Sequence, residues 1–132
     1  MKTIRVAVAT DDGKNLMSRH FGDAAFYEVF DLFSDRSDAV LRIENDTDEE
    51  KEHADPEKAK GVASLLKPQG VQVLVAKVFG PNLKRIRRRF VCVLTHLDDV
   101  DACLKQLREH RDAIEEAWDL GEERRHVDLR RK

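Results

Sequence analysis

Apolar positions recur at every second residue near the start of the chain. Ile4, Val6 and Val8 alternate with Arg5, Ala7 and Ala9. Small alanines opposite larger valines predict a strand covered on both faces, near the centre of a sheet. In residues 25–32, Phe26, Phe30 and Leu32 interleave with Tyr27 and Val29, which predicts a second strand. The polar residues 34–38 predict a turn and residues 39–43 a short third strand, so strands two and three form a hairpin. Residues 44–55 are acidic and polar without apolar period, which predicts a mobile loop.

Asp55-Pro56-Glu57 has the layout of a helix start, with an Asp cap and Pro at the first helical position. Ala59, Val62, Ala63 and Leu66 then share one helical face. Residues 71–76 are a near-continuous apolar run, the mark of a buried parallel strand. Gly80-Pro81-Asn82 opens a second helix with Leu83, Ile86 and Phe90 as a narrow stripe, and residues 90–94 predict a fifth strand. Asp98 is placed to cap a long third helix whose apolar face is Val100, Cys103, Leu104, Leu107, Ile114 and Trp118. Beyond Leu120 the chain is almost all charge, and this tail is expected to extend the helix or fray.

The order β-β-β-α-β-α-β-α implies an α/β fold with right-handed crossovers in its second half. It predicts a mixed five-stranded sheet in the order 3-2-1-4-5, strand two antiparallel to the others, flanked by three helices. The predicted organisation is a single domain over residues 1–119 followed by a charged tail over residues 120–132.

With 132 residues, the chain suits one domain with a real core. Charged residues make up 38%, yet the formal net charge is only −2, so no global field favours nucleic acid or a membrane. No apolar run approaches the ~20 residues that span a bilayer. Met1-Lys2-Thr3 leads straight into a strand pattern without signal-peptide layout, which makes the cytoplasm the expected location. Cys92 and Cys103 lie in apolar patterns outside any C-x-x-C pair and are expected to be buried free thiols. His53, His96, His110 and His126 show no metal-ligand spacing.

The candidate chemistry lies in the connection over residues 10–23, long for two neighbouring elements, which contains Ser18-Arg19-His20-Phe21-Gly22. His20 has two readings: a metal ligand, or an imidazole that holds loop backbone together. Ser18 either donates to a ligand or caps a turn. Phe21 reads as core, and Gly22 as a backbone angle other residues resist. Asp11-Asp12-Gly13 reads as a turn. Gly80-Pro81-Asn82 puts a helix start at the carboxyl end of a parallel strand, where anions bind, or is a plain helix start. If strands one and four are parallel neighbours, both loops open on one edge. The basic run over residues 84–89 is either a solvated face or a docking patch for an acidic partner.

The element order, with Ser18, His20, Phe21 and Gly22 after strand one, Phe26 and Asp31 in strand two, and Gly80, Pro81 and Asn82 after strand four, resembles the dinitrogenase iron–molybdenum cofactor biosynthesis family. This family comprises the small NifX-like proteins and the C-terminal domain of NifB. The resemblance runs over about residues 1–107. It implies a ribonuclease H-like motif and the binding of an iron–molybdenum or other iron–sulfur or molybdenum–sulfur cluster, exchanged with donor and acceptor proteins of an assembly pathway. On this resemblance the cofactor-binding residues are Ser18, Arg19, His20, Gly22, Gly80, Pro81 and Asn82, with His20 as the metal ligand and no catalytic residue. The alternative is a regulatory or interaction protein without cofactor, using the basic helix. A two-metal enzyme of ribonuclease H type ranks lower, because strand one offers Arg5, Ala7 and Ala9 where that chemistry wants a carboxylate.

Overall fold

The computed structural model describes residues 3–45 and 56–130, the side chains of residues 56–58 excepted. The expectations for a mobile 44–55 loop and an Asp55 cap therefore fall almost wholly outside the described residues. Strand β1 (Ile4–Thr10) lies in mid-sheet, antiparallel to β2 (Phe26–Leu32) on one side and parallel to β4 (Val73–Ala76) on the other. Beyond β2 lies β3 (Ser37–Glu44), and beyond β4 lies β5 (Val91–Leu94). The expected 3-2-1-4-5 order and the single reversed strand both hold.

The alternation that predicted β1 has a structural cause on each face. Ala7 and Ala9 join Tyr27, Val29, Leu74 and Cys92 in one core, closed by Val62 and Leu66 of helix α1 (Pro56–Leu66) and by Ile86 of the one-turn helix α2 (Leu83–Ile86). Ile4, Val6 and Val8 join Val73, Val75, Val91 and Val93 in the other. That core is closed by Leu104 and Leu107 of α3 (Val100–Glu109) and Ile114 of α4 (Arg111–Asp119). Burying each such aliphatic side chain contributes roughly 1.5–3 kcal/mol, so the sheet centre is the most strongly held part of the molecule. Arg5 keeps its charge at the margin by a two-toothed pair with Asp31 directly opposite on β2, at 2.8 and 3.1 Å.

Four sequence expectations are corrected. The third helix is two helices, broken at His110, whose ring Nδ1 lies 2.9 Å from the Gln106 carbonyl. Together with α1 and α2, the α-helices among the described residues therefore number four rather than three. The cap of α3 is Asp99, which accepts the Ala102 N–H at 2.8 Å, whereas Asp98 pairs with Lys77.

The third correction is a sixth strand. The charged tail neither extends the helix nor frays over its described part: Val127–Asp128 forms β6, parallel to β5. Leu129 is 2% exposed in the second core, and its N–H donates to the Leu94 carbonyl at 2.8 Å. Arg124 is buried with its guanidinium over the Trp118 ring at 4.3 Å, donating to the carbonyls of Arg88 and Trp118 at 2.9 Å each. The hairpin reversal also sits earlier than expected, at residues 33–36, so β3 begins at Ser37.

Candidate functional site

The long connection after β1 is laced down along its length. Thr10, fully buried, donates its hydroxyl to the Asn15 carbonyl at 2.6 Å and accepts the Gly13 N–H at 2.9 Å. The Asp12 carboxylate accepts the N–H groups of Asn15 and Lys14, each at 2.8 Å. Those backbone bonds hold its pKa down to about 2, so the turn read from Asp11-Asp12-Gly13 is real. Further on, the Leu16 N–H donates to the Asp98 carbonyl at 2.7 Å and the Val100 N–H to the Lys14 carbonyl at 2.9 Å. Leu16 and Met17 then drop into the two different cores.

This geometry makes a prediction about pH. The folded state lowers the Asp12 pKa below its ordinary 3.8, so its contribution to stability is complete above that value and is lost as pH falls through about 2. Wild type should be more stable than Asp12→Ala at pH values above 3.8, and the two should converge as pH falls toward about 2. Urea unfolding at a series of pH values measures this; a gap that stays constant over the range would contradict it.

The second half of the connection carries the candidate ligand. Asp11 clamps the loop: its carboxylate accepts the Arg19 guanidinium at 2.7 Å and the Ala25 N–H at 2.8 Å. His20 forms a parallel bridge with Val78, and the next residue, Phe21, donates its N–H to the Val78 carbonyl at 2.9 Å. The Phe21 ring is fully buried between Tyr27 and Phe79, with centroids at 4.8 and 5.3 Å. The Tyr27 hydroxyl donates to the Phe21 carbonyl at 2.9 Å, and burial pushes its pKa up, so it remains a donor. Phe21 thus acts as a peg that fixes the half-buried His20 beside the loop after β4.

Gly80 completes the contact. Its φ is +75°, and a Cβ built there would lie 2.6 Å from His20 Nδ1, 2.7 Å from Cε1 and 2.8 Å from Cγ. The imidazole therefore lies directly on the glycine, and the two loops meet at the carboxyl ends of β1 and β4.

Of the seven predicted site residues, the structure brings His20 and Gly80 into contact. Ser18 and Arg19 are exposed on the same loop, and Pro81 is half-buried beside Gly80. Gly22 and Asn82 are buried. Gly22 lacks the positive φ expected of it; around the site that angle is found at Gly13 of the same connection and at Gly80. The Asn82 side-chain oxygen accepts from Arg85 at 3.0 Å. Residues 80–82 form a single 3-10 turn before the four-residue α2, too few aligned peptides for an appreciable helix dipole. The expected anion-attracting helix start is therefore corrected to a tight turn.

Asp11, Tyr27, Val78, Phe79 and Asn45 support the site and were not legible as such in the sequence. Asn45 donates its amide to the Gly22 and Ala24 carbonyls at 2.8 and 2.7 Å, tying the loop to the end of β3. The one signal available beforehand was Asp11, at the point where β1 ends in a short polar run.

Among the described residues no group of three or more His, Cys, Asp or Glu could share a metal ion. Cys92 and Cys103 are fully buried, and burial pushes both thiols up, Cys103 to about 12, so they stay protonated. No helix of the described residues is long and apolar enough to cross a membrane.

A family model described as dinitrogenase iron–molybdenum cofactor matches residues 2–110 of the chain. No curated protein shows a significant match. A crystal structure from Methanocaldococcus jannaschii, described as a "putative dinitrogenase", superimposes with a TM-score of 0.60 at 22% identity, covering 83% of this chain and 91% of that one. At that identity the likeness is one of fold.

Proposed function

Since the chain belongs to the dinitrogenase iron–molybdenum cofactor family, we propose that it is a non-enzymatic, cytoplasmic, NifX-like carrier of an anionic metal–sulfur cluster. The cargo is the iron–molybdenum cofactor or a related iron–sulfur or molybdenum–sulfur precursor, received from and passed to proteins of a cofactor-assembly pathway. The observation that carries this reading is the packing of the His20 ring on Gly80, which holds one imidazole at the sheet edge where ligands bind in open α/β sheets.

One imidazole cannot hold a bare metal ion tightly, but a preassembled cluster brings its own sulfides and needs few protein ligands. Two neighbours suit such a cargo. Ser18 is exposed and its hydroxyl makes no hydrogen bond among the described residues. Arg19 commits only Nη2, to Asp11 and Met17; a guanidinium has five N–H donors, so several remain for an anion. A two-metal hydrolase is disfavoured because Arg5 on β1 is committed to Asp31 rather than replaced by a free carboxylate.

His20→Ala tests the reading. The variant should keep its fold, because the ring is half-buried at a loop, and should retain a loaded cluster about tenfold less well, equivalent to ~1.4 kcal/mol. The measurement is anaerobic loading of wild type and variant with a synthetic iron–sulfur cluster or the extracted iron–molybdenum cofactor, then gel filtration and metal analysis. Equal metal per chain in the two proteins would make His20 a purely structural residue. No metal on either would remove the carrier function altogether.

A further inference from the structure

We propose that the groove between α1 and α2 is a docking site for an acidic segment of a partner protein, anchored by one large apolar side chain. The inference rests on the charges of residues 84–89 and does not depend on cluster binding.

Several other cations of the described structure are neutralised from within. Arg5 pairs with Asp31, Arg19 with Asp11, Arg42 with Glu28, Lys77 with Asp98, Arg111 with Glu115 and Arg130 with Asp128. Lys84, Arg87, Arg88 and Arg89 make no ion pair and no side-chain hydrogen bond among the described residues. Arg85 donates to the Asn82 side-chain oxygen at 3.0 Å. Lys84, Arg87, Arg88 and Arg89 lie within six positions of a chain whose net charge is −2 and make a concentrated positive patch, and like charges at this spacing repel one another. An anion brought from outside would relieve that repulsion.

The surface between these cations is not flat. A cleft of about 260 Å³ opens there, with Ala59, Ala63, Ile86 and Phe90 in its wall and Lys60, Arg85, Arg88 and Arg89 around it. Its size falls below the roughly 300–1,000 Å³ of ordinary small-molecule pockets and suits a single side chain, the usual form of an interface anchor. A second, charged hollow of about 440 Å³ shares Arg88 and continues the positive surface through Lys84, Arg87 and Arg125, with Glu122 and Glu123 also in its wall. A ligand that spans both must carry negative charge on either side of an apolar group.

An acidic peptide has that pattern. Single-stranded nucleic acid fits less well, because it binds by stacking bases on exposed aromatic rings, and the one aromatic of the cleft, Phe90, is fully buried.

The test is fluorescence anisotropy with a labelled acidic peptide bearing a central Leu-Phe pair, measured on the full chain. The comparison probes are the same peptide with Ser-Ser at the centre and a mixed-sequence single-stranded DNA of equal charge. Wild type should bind the Leu-Phe peptide most tightly, and the Ser-Ser peptide about tenfold more weakly. Arg88→Glu/Arg89→Glu on one side of the cleft and Lys60→Glu on the other should each weaken binding about tenfold and reduce its salt dependence, with thermal stability unchanged. Lack of binding, equal binding of the two peptides, tighter binding of the DNA, or a Lys60→Glu variant that binds like wild type would each overturn the proposal.

Discussion

Gly80→Val is expected to destabilise the protein by roughly 2–5 kcal/mol, through two separable terms. The first is the backbone. At φ +75° a β-branched residue costs about 1–2 kcal/mol whatever surrounds it. The second is the collision of the new Cβ with the His20 ring, three of whose atoms lie at 2.6–2.8 Å from that position. The ring cannot simply yield. Its neighbour Phe21 is held by the Val78 carbonyl at 2.9 Å and by stacking on Tyr27 and Phe79, so the overpacking adds about 1–3 kcal/mol.

A double-mutant cycle separates the terms. In a His20→Ala background the collision is gone, and Gly80→Val should cost only its backbone part. Urea unfolding of wild type, both single variants and the double variant measures the coupling. Additive costs would show that the ring does not bear on Gly80, and the contact on which the site is built would fall with it. The same cycle bears on cluster retention, because a displaced His20 loses its position even though the residue is still present.

Leu129→Ala should cost about 2–4 kcal/mol, the usual range for truncating a large side chain in a packed core. For a residue flanked by charged positions this is a large effect. Its cause is the place of Leu129 in the second core, with Val93, Leu104 and Ile114. The Leu129 backbone is also bound at both groups: its N–H to Leu94 and its carbonyl to the Gln106 amide at 3.3 Å. Gln106 is fixed in turn by donation from the Thr95 hydroxyl at 2.9 Å. Denaturant midpoints for the variant and wild type decide the matter; a difference below about 0.5 kcal/mol, typical of surface substitutions, would mean that the sixth strand is not held by its core contact.

The amino-acid sequence by itself determined the parts of this protein that repeat at short range. The alternation of Ile4, Val6 and Val8 with Ala7 and Ala9 specified a strand buried on two faces, and the structure divides those residues between two cores. The apolar run ending at Ala76 specified a parallel strand, and with it the meeting of the His20 and Gly80 loops on one edge. Phe21 was legible as core because an aromatic between polar loop residues has few other uses.

What only the tertiary structure decided depends on groups distant in the chain. Val127 and Leu129 make one period of alternation among charges, too short a pattern to mark a strand until β5 offers an unpaired edge beside them. The choice between Asp98 and Asp99 as helix cap followed from Lys77, which takes Asp98 away. The break at His110 left the apolar spacing across α3 and α4 readable as one long helix. Gly22 and Gly80 looked alike as loop glycines; only Gly80 combines a positive φ with a histidine ring from another loop in the place a Cβ would take. Periodicity is a local property and survives in the sequence, whereas the pairing of ring with glycine, or of acid with guanidinium, exists only once the chain has closed on itself.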